Sequence, residues 1–306
     1  MSQPTHPPPD THETSGEHNW VRERFPKGLL LADGATGTML QAKGLGPGEP
    51  PDLWNLTRPK AVQEVHEAYL AVGCDLVQTN TFGANPLRLT ERGLSGQTAA
   101  INLTAVRLAR EGCTAGHLVA GTVGPTGDFE GGRHRSVSTE IRSAFEEQLS
   151  HLMHGGVDLI LVESMTHLAE ARMALQAAQE CPPVPVAVSL VFFEQREGLL
   201  TLDGASAQEA VRELTTAQVV GCNCMHVEHV IEVLRQMREV TSLPLIGQPH
   251  AGLPESRGKK WAYPLDPEAM VRHIPALLAS NPGILGGCCG TTPAHLEAVA
   301  RSLRHS

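Results

Sequence analysis

From residue 28 onward, short runs of consecutive apolar residues alternate with longer stretches in which apolar residues recur every three or four positions. The short runs are GLLLADG (28–34), DLVQTNTFG (75–83), HLVAGTVGPTG (117–127), VDLILVES (157–164), VPVAVSLVF (184–192), AQVVGCNC (217–224), LPLIGQPHAG (243–252) and GILGGCCG (283–290). They predict strands buried on both faces, because a strand with one wet face would alternate apolar with polar residues. The longer stretches, at 59–72, 139–154, 167–180, 228–240 and 267–280, predict amphipathic helices. A last helix, in PAHLEAVARSL, opens with Thr292 as N-cap and Pro293 at the first helical position, where a missing N–H is tolerated.

Eight such strands, each followed by helical sequence, predict an α/β fold that closes into a (β/α)₈ TIM barrel. A doubly wound open sheet fits less well. Its first strand would lead through a tight glycine-rich turn into a helix, whereas here a long excursion, MLQAKGLGPGEPPDLWNLTR (39–58), follows strand one. Residues 1–20 are rich in Pro, His, Thr and acids and almost free of apolar residues, which predicts a disordered tail ahead of a single barrel domain at 21–306. Asp33, Asn80, Thr81, Glu163, Cys224, His250, Cys288 and Cys289 fall at or just past the C-terminal ends of their strands. In a barrel those ends form one mouth, where active sites are built.

Charge and cysteine usage narrow the function. A formal net charge of −9 without a dense Lys/Arg run disfavours nucleic-acid and anionic-lipid partners. The absence of an apolar run of about 20 residues, or of a basic-then-apolar N-terminus, leads to the expectation of a cytoplasmic protein with no membrane partner. The 7 cysteines, an odd number, do not suggest a disulfide framework. Cys74, Cys113 and Cys181 read as isolated small hydrophobes, whereas Cys222, Cys224, Cys288 and Cys289 cluster in two glycine-containing segments of the last third.

That clustering suits zinc, which binds thiolates at about 2.3 Å and in catalytic sites keeps one position open. Cys288 and Cys289 are adjacent, so both can face one point only if the backbone leaves the extended conformation, which the flanking glycines permit. The competing reading is a tightly packed glycine loop with incidental thiols. In GCNC, Cys222 and Cys224 are two apart and share a strand face, so either could reach a metal. Cys224, nearer the mouth, is favoured, with Cys222 placed in the barrel interior or at its lip.

LADGATGTML (31–40), QTNTFGAN (78–85), GTVGPTG (121–127), DLILVES (158–164), GCNC (221–224) and GGCCGTTPAHL (286–296) together resemble the homocysteine S-methyltransferase family, in order and in spacing. The resemblance implies a TIM barrel that holds Zn2+ through Cys224, Cys288 and Cys289 and transfers a methyl group to the thiol of homocysteine, forming methionine. It further implies that Asp33, Gly34 and Glu163 hold the amino-acid end of homocysteine. Physically, carboxylates suit an ammonium and the backbone N–H groups of the DGATG turn suit a carboxylate. Without the resemblance, Asp33 reads equally well as a turn-stabilising residue and Glu163 as a helix-cap contact.

The methyl donor is less constrained. The family's betaine-dependent branch surrounds its quaternary ammonium with aromatic rings at positions that here fall on Gly83 and Ser164, and aromatic content is only 4%. Betaine is therefore disfavoured against S-methylmethionine or a methyl-corrinoid species, the latter delivered by a separate carrier protein. Asn80 at the mouth, Trp54 on the first excursion and His250 in QPHAG are further candidates. Trp54 either contacts the donor or packs its loop, and His250 either ligates zinc at rest or donates a hydrogen bond. Two other readings stay open: a phosphate-binding barrel enzyme using GGCCGTTP at a helix N-terminus, and a non-catalytic barrel with structural zinc. The oligomeric state is open.

Overall fold

The computed structural model describes residues 28–127, 129–130, 133–134, 138–181, 184–257 and 260–304. The expected tail at 1–20 and the first residues of the expected barrel domain, 21–27, lie outside them. Eight parallel strands form one sheet: β1 (Leu30–Leu31), β2 (Leu76–Gln78), β3 (Leu118–Val123), β4 (Leu159–Met165), β5 (Val186–Leu190), β6 (Val219–Asn223), β7 (Leu245–Gln248) and β8 (Ile284–Leu285). Their order is β1-β8-β7-β6-β5-β4-β3-β2, and a parallel bridge from Ala32 to Leu76 joins the last strand to the first. The expected TIM barrel is thereby formed.

The near-continuous apolar runs follow from burial on both faces. Within the eight strands, only Glu163 and Ser164 are not fully buried. Leu30, Leu76, Ala120, Leu161, Val219 and Ile246 belong to the cluster that fills the barrel interior. The alternate residues, such as Val119, Val162, Val188 and Val220, pack with the helices instead. The spacing between β6 and β7 depends on one glycine. A Cβ on Gly221 would lie 1.9 Å from the carbonyl oxygen of Ile246, so no other residue fits there without displacing the strand pair.

Helices α1 (Thr36–Ala42), α2 (Trp54–Thr57), α3 (Pro59–Ala71), α4 (Pro86–Glu91), α5 (Thr98–Gly112), α6 (Ser138–His154), α7 (Leu168–Gln179), α8 (Ala207–Glu213), α9 (Val227–Arg238), α10 (Pro267–Arg272), α11 (Ile274–Leu278) and α12 (Pro293–Leu303) surround the sheet. The long excursion after β1 is itself partly helical, containing α2 and most of α1. The helix expected over 267–280 is two helices. Pro275 has no N–H to donate and its ring crowds the preceding turn, so the chain breaks at His273. Thr292 is the N-cap of α12, as expected; its N–H donates to His295 Nδ1 at 3.1 Å, and His295 Nε2 in turn reaches the Leu265 carbonyl at 2.8 Å. No helix among the described residues is long and apolar enough to cross a membrane.

Candidate active site

The C-terminal strand ends enclose a cavity of about 390 Å³, within the usual range for small-molecule sites. Cys224, Cys288 and Cys289 line it. Their sulfurs are the one group of three metal-capable atoms, among the described residues, lying within 4.8 Å of one another. Cys224 Sγ and Cys289 Sγ are 3.6 Å apart, close to the roughly 3.8 Å between two thiolates on a tetrahedral zinc. All three are free thiols. Hydrogen bonds offered by the Cys224 and Cys288 thiols hold the Cys289 thiol far below its ordinary pKa, so the trio readily carries at least one thiolate.

The backbone explains how three sulfurs converge. Strand β6 points Val219 inward, then Gly221 and Asn223, which leaves Cys222 on the helix side, buried and within 3.9 Å of the Val230 carbonyl of α9. The expectation that Cys222 sits in the barrel interior or at the lip is corrected accordingly. Strict alternation would carry Cys224 to the helix side too. It escapes because its φ is +58°, a left-handed conformation that turns the side chain into the mouth while its N–H donates to the Gln248 carbonyl at 3.0 Å. After β8, Cys288 N donates to Pro249 O at 2.9 Å and Cys289 O accepts from Ala251 N at 2.8 Å, lacing this loop to the one after β7. Gly290, at φ +80°, then turns the chain away beneath Tyr263. Adjacent cysteines can therefore share one target.

Asn223 was not singled out in the sequence, and it ties the mouth together. Its Oδ1 accepts from Ser164 N at 2.9 Å and Ser189 Oγ at 3.0 Å. Its Nδ2 donates to Glu163 Oε2 at 3.1 Å and Ser164 Oγ at 2.7 Å, and lies 3.8 Å from Cys288 Sγ. Ser164 also has a left-handed backbone, at φ +55°, and this network holds it there. A legible signal existed: Asn223 is a polar residue ending an inward-facing apolar series. Glu163 lines the cavity, and burial pushes its pKa up to about 8, with help from the nearby negative charges of Asp33 and Cys289.

A model of the homocysteine S-methyltransferase family matches residues 30–303. The chain belongs to this family. It is 29% identical over 300 residues to the methionine synthase of Mycobacterium leprae, a match covering 92% of this chain but only 25% of that protein. The chain thus spans about a quarter of the length of that relative. Among solved structures, it resembles the metallated form of the homocysteine methyltransferase MmuM from Escherichia coli. The TM-score is 0.78 at 26% identity, over 92% of this chain and all of that one. The apo form of MmuM gives 0.73 at 25% identity, over 93% of this chain and all of that one.

The remaining candidates of this family member divide. Gly34 and Asn80 line the cavity, and Asn80 also ties the first excursion to the barrel by donating to Pro51 O at 2.7 Å. Asp33 does not line it. Its carboxylate is fully buried and accepts both from Gln78 N at 3.0 Å and from Gln78 Nε2 at 2.8 Å, and burial raises its pKa to about 7. Trp54 is also fully buried. Its Nε1 donates to Glu49 at 2.6 Å and its ring packs under Arg58, so it fastens the excursion and is not among the cavity lining. His250 stands outside the sulfur group: its Nδ1 accepts from Gly252 N at 2.9 Å and its ring meets His226 edge-on. Gln78, Asp52, Arg88 and Arg92 line the cavity without having been marked in the sequence.

Proposed function

We propose that this chain transfers a methyl group to the sulfur of homocysteine, with zinc held by Cys224, Cys288 and Cys289 and a small methylsulfonium as donor. The observation that carries the reading is the convergence of three free thiols, from two loops, on a cavity inside a family whose description names this acceptor. The site fits the metal: sulfur donors suit zinc, their spacing suits a tetrahedron, and three protein ligands leave a fourth position for substrate. Bound there, zinc would supply the Lewis acidity that keeps a coordinated thiol deprotonated at neutral pH.

The chain's own residues do the rest. Glu163 accepts from the homocysteine ammonium, oriented by the Asn223 amide, which also directs an N–H toward Cys288. The Gly34–Thr38 turn lines the place for the substrate carboxylate. Asp33 serves from behind by fixing Gln78. The substrate sulfur, its proton released to solvent, attacks the methyl carbon; the new S–CH3 bond forms as the donor's S–CH3 bond breaks, and that electron pair returns to the donor sulfur. The donor reading rests on a cavity whose described lining holds one aromatic residue, Phe82, too few for a quaternary-ammonium cage. Methyl-corrinoid delivery by a carrier protein is the competing source.

The test supplies zinc-loaded protein and homocysteine with S-methylmethionine, betaine, S-adenosylmethionine, methyltetrahydrofolate or methylcobalamin in turn and measures methionine. S-methylmethionine is expected to react. Chelated protein, or the C224S, C288S or C289S variants, should lose at least about thirtyfold at pH 7, the fraction of thiolate forfeited by a free thiol. Undiminished methionine formation in fully chelated protein would overturn the assignment.

A further inference from the structure

The cavity contains two guanidinium groups that the thiol chemistry does not use. Arg88 lies on α4 and Arg92 caps its end, four residues apart, and both line the cavity. Like charges at this spacing repel on a helix face, so the arrangement works against α4 unless something anionic sits between them. Arg88 Nε donates to the Pro125 carbonyl at 2.7 Å, which fixes the stem of the fork. Among the described residues its terminal nitrogens make no hydrogen bond, and the Arg92 side chain makes none. Among the described residues no carboxylate pairs with either group within 4.0 Å.

The nearby acids compensate only at a distance. Asp52 accepts from Gly83 N at 2.9 Å, and its burial disfavours the charged form. Glu170 is engaged by Thr126, with both the backbone N and Oγ1 at 2.7 Å, and Glu91 adds a negative charge near Arg88. Forked N–H donors lining a cavity match a planar carboxylate.

Position says which carboxylate. Helix α4 follows β2, whereas Cys224 follows β6 and Cys288 and Cys289 follow β8, four and two places away around the ring of eight, so the guanidinium pair and the sulfurs stand apart on one mouth. The cavity therefore presents forked cationic donors on one side and the sulfur group on another. A ligand with a cationic, methyl-bearing sulfur at one end and a carboxylate at the other would span the two. The geometry points to Arg88 and Arg92 as a carboxylate subsite for the methyl donor, selecting sulfonium carboxylates over sulfonium compounds that lack the acid. This rests on the sulfonium-donor reading above. The same chemistry could instead hold the acceptor's carboxylate, and kinetics separate the two.

The experiment compares zinc-loaded full-length wild type, R88M, R88K and R92M with two donors: S-methylmethionine and its decarboxylated analogue, dimethyl(3-aminopropyl)sulfonium. Loss of a charge-assisted contact should raise the KM for S-methylmethionine about tenfold or more in R88M and R92M, with an intermediate effect in R88K, which keeps charge without the fork. The homocysteine KM should stay unchanged, and the analogue should react equally with all four proteins. Arg92 is exposed and its side chain makes no hydrogen bond among the described residues, so R92M reports on binding even if R88M disturbs the Pro125 loop. An unchanged donor KM in both methionine variants, in a wild type that uses S-methylmethionine, overturns the subsite alone. A rise in the homocysteine KM instead assigns the pair to the acceptor and also overturns it. A wild type that uses methylcobalamin but not S-methylmethionine overturns the donor reading and the subsite together.

Discussion

At the scale of single residues, the polar groups that matter are held by other polar groups, and one that is not makes a separate prediction. Asn223 meets each of its amide hydrogen bonds within the mouth, so Glu163, Ser164 and Cys288 are placed relative to one another before any ligand arrives. His66, on α3, is the contrast. It is fully buried, neither ring nitrogen has a partner, and burial lowers its pKa to about 4. Because the folded-state value lies below the ordinary 6.5, folding favours the neutral ring. The stability is complete above pH 6.5 and falls as the pH drops toward 4, by on the order of 3 kcal/mol over that window. His66→Leu should remove this loss. Thermal midpoints of the two proteins are expected to diverge in favour of the variant below pH 6.5, and parallel pH profiles would show that His66 finds a partner.

At the scale of elements, β6 shows how one strand serves packing and chemistry on alternate residues. Cys222 belongs to the layer between β6 and α9, and Cys224 to the mouth. Cys222→Ala should therefore lower stability by about 1 kcal/mol while leaving zinc stoichiometry and methionine formation unchanged, measured by metal analysis and assay. A lost zinc equivalent would restore Cys222 as a ligand. Gly221→Ala, one residue away, should be far worse, because the added methyl group meets the β7 backbone. An overpacking cost of roughly 3 kcal/mol or more is expected, read as a large drop in thermal midpoint. The same strand explains a limit of pattern reading. Period-two alternation puts Cys222 and Cys224 on one face, and only the left-handed turn at Cys224 separates them.

At the scale of the whole molecule, the three sulfurs come from the end of β6 and the loop after β8, with β7 between. A bound cation would clip together a wall of the barrel whose apolar core already stands without it. Chelation should thus leave far-ultraviolet dichroism intact but lower the thermal midpoint by roughly 10 °C relative to protein in a thousandfold excess of zinc over its dissociation constant. Stoichiometric zinc should restore it, and a midpoint indifferent to chelator would mean that no cation clips these loops. Barrel class, strand positions and the cysteine segments were legible in the sequence because they depend on local signals: buried runs of the right length, helical periodicity and glycine next to cysteine. Those signals act through the backbone within a few residues and survive without knowledge of neighbours. What the tertiary structure decided was direction and company. Asp33 turned to Gln78 instead of the cavity, Trp54 to Glu49, and Asn223 became the hub of the mouth. Arg88 and Arg92 came to line the cavity beside the cysteines. Each outcome depends on which atoms from distant segments lie within hydrogen-bond or Coulomb range, and closure of the ring settles that where spacing along the chain cannot.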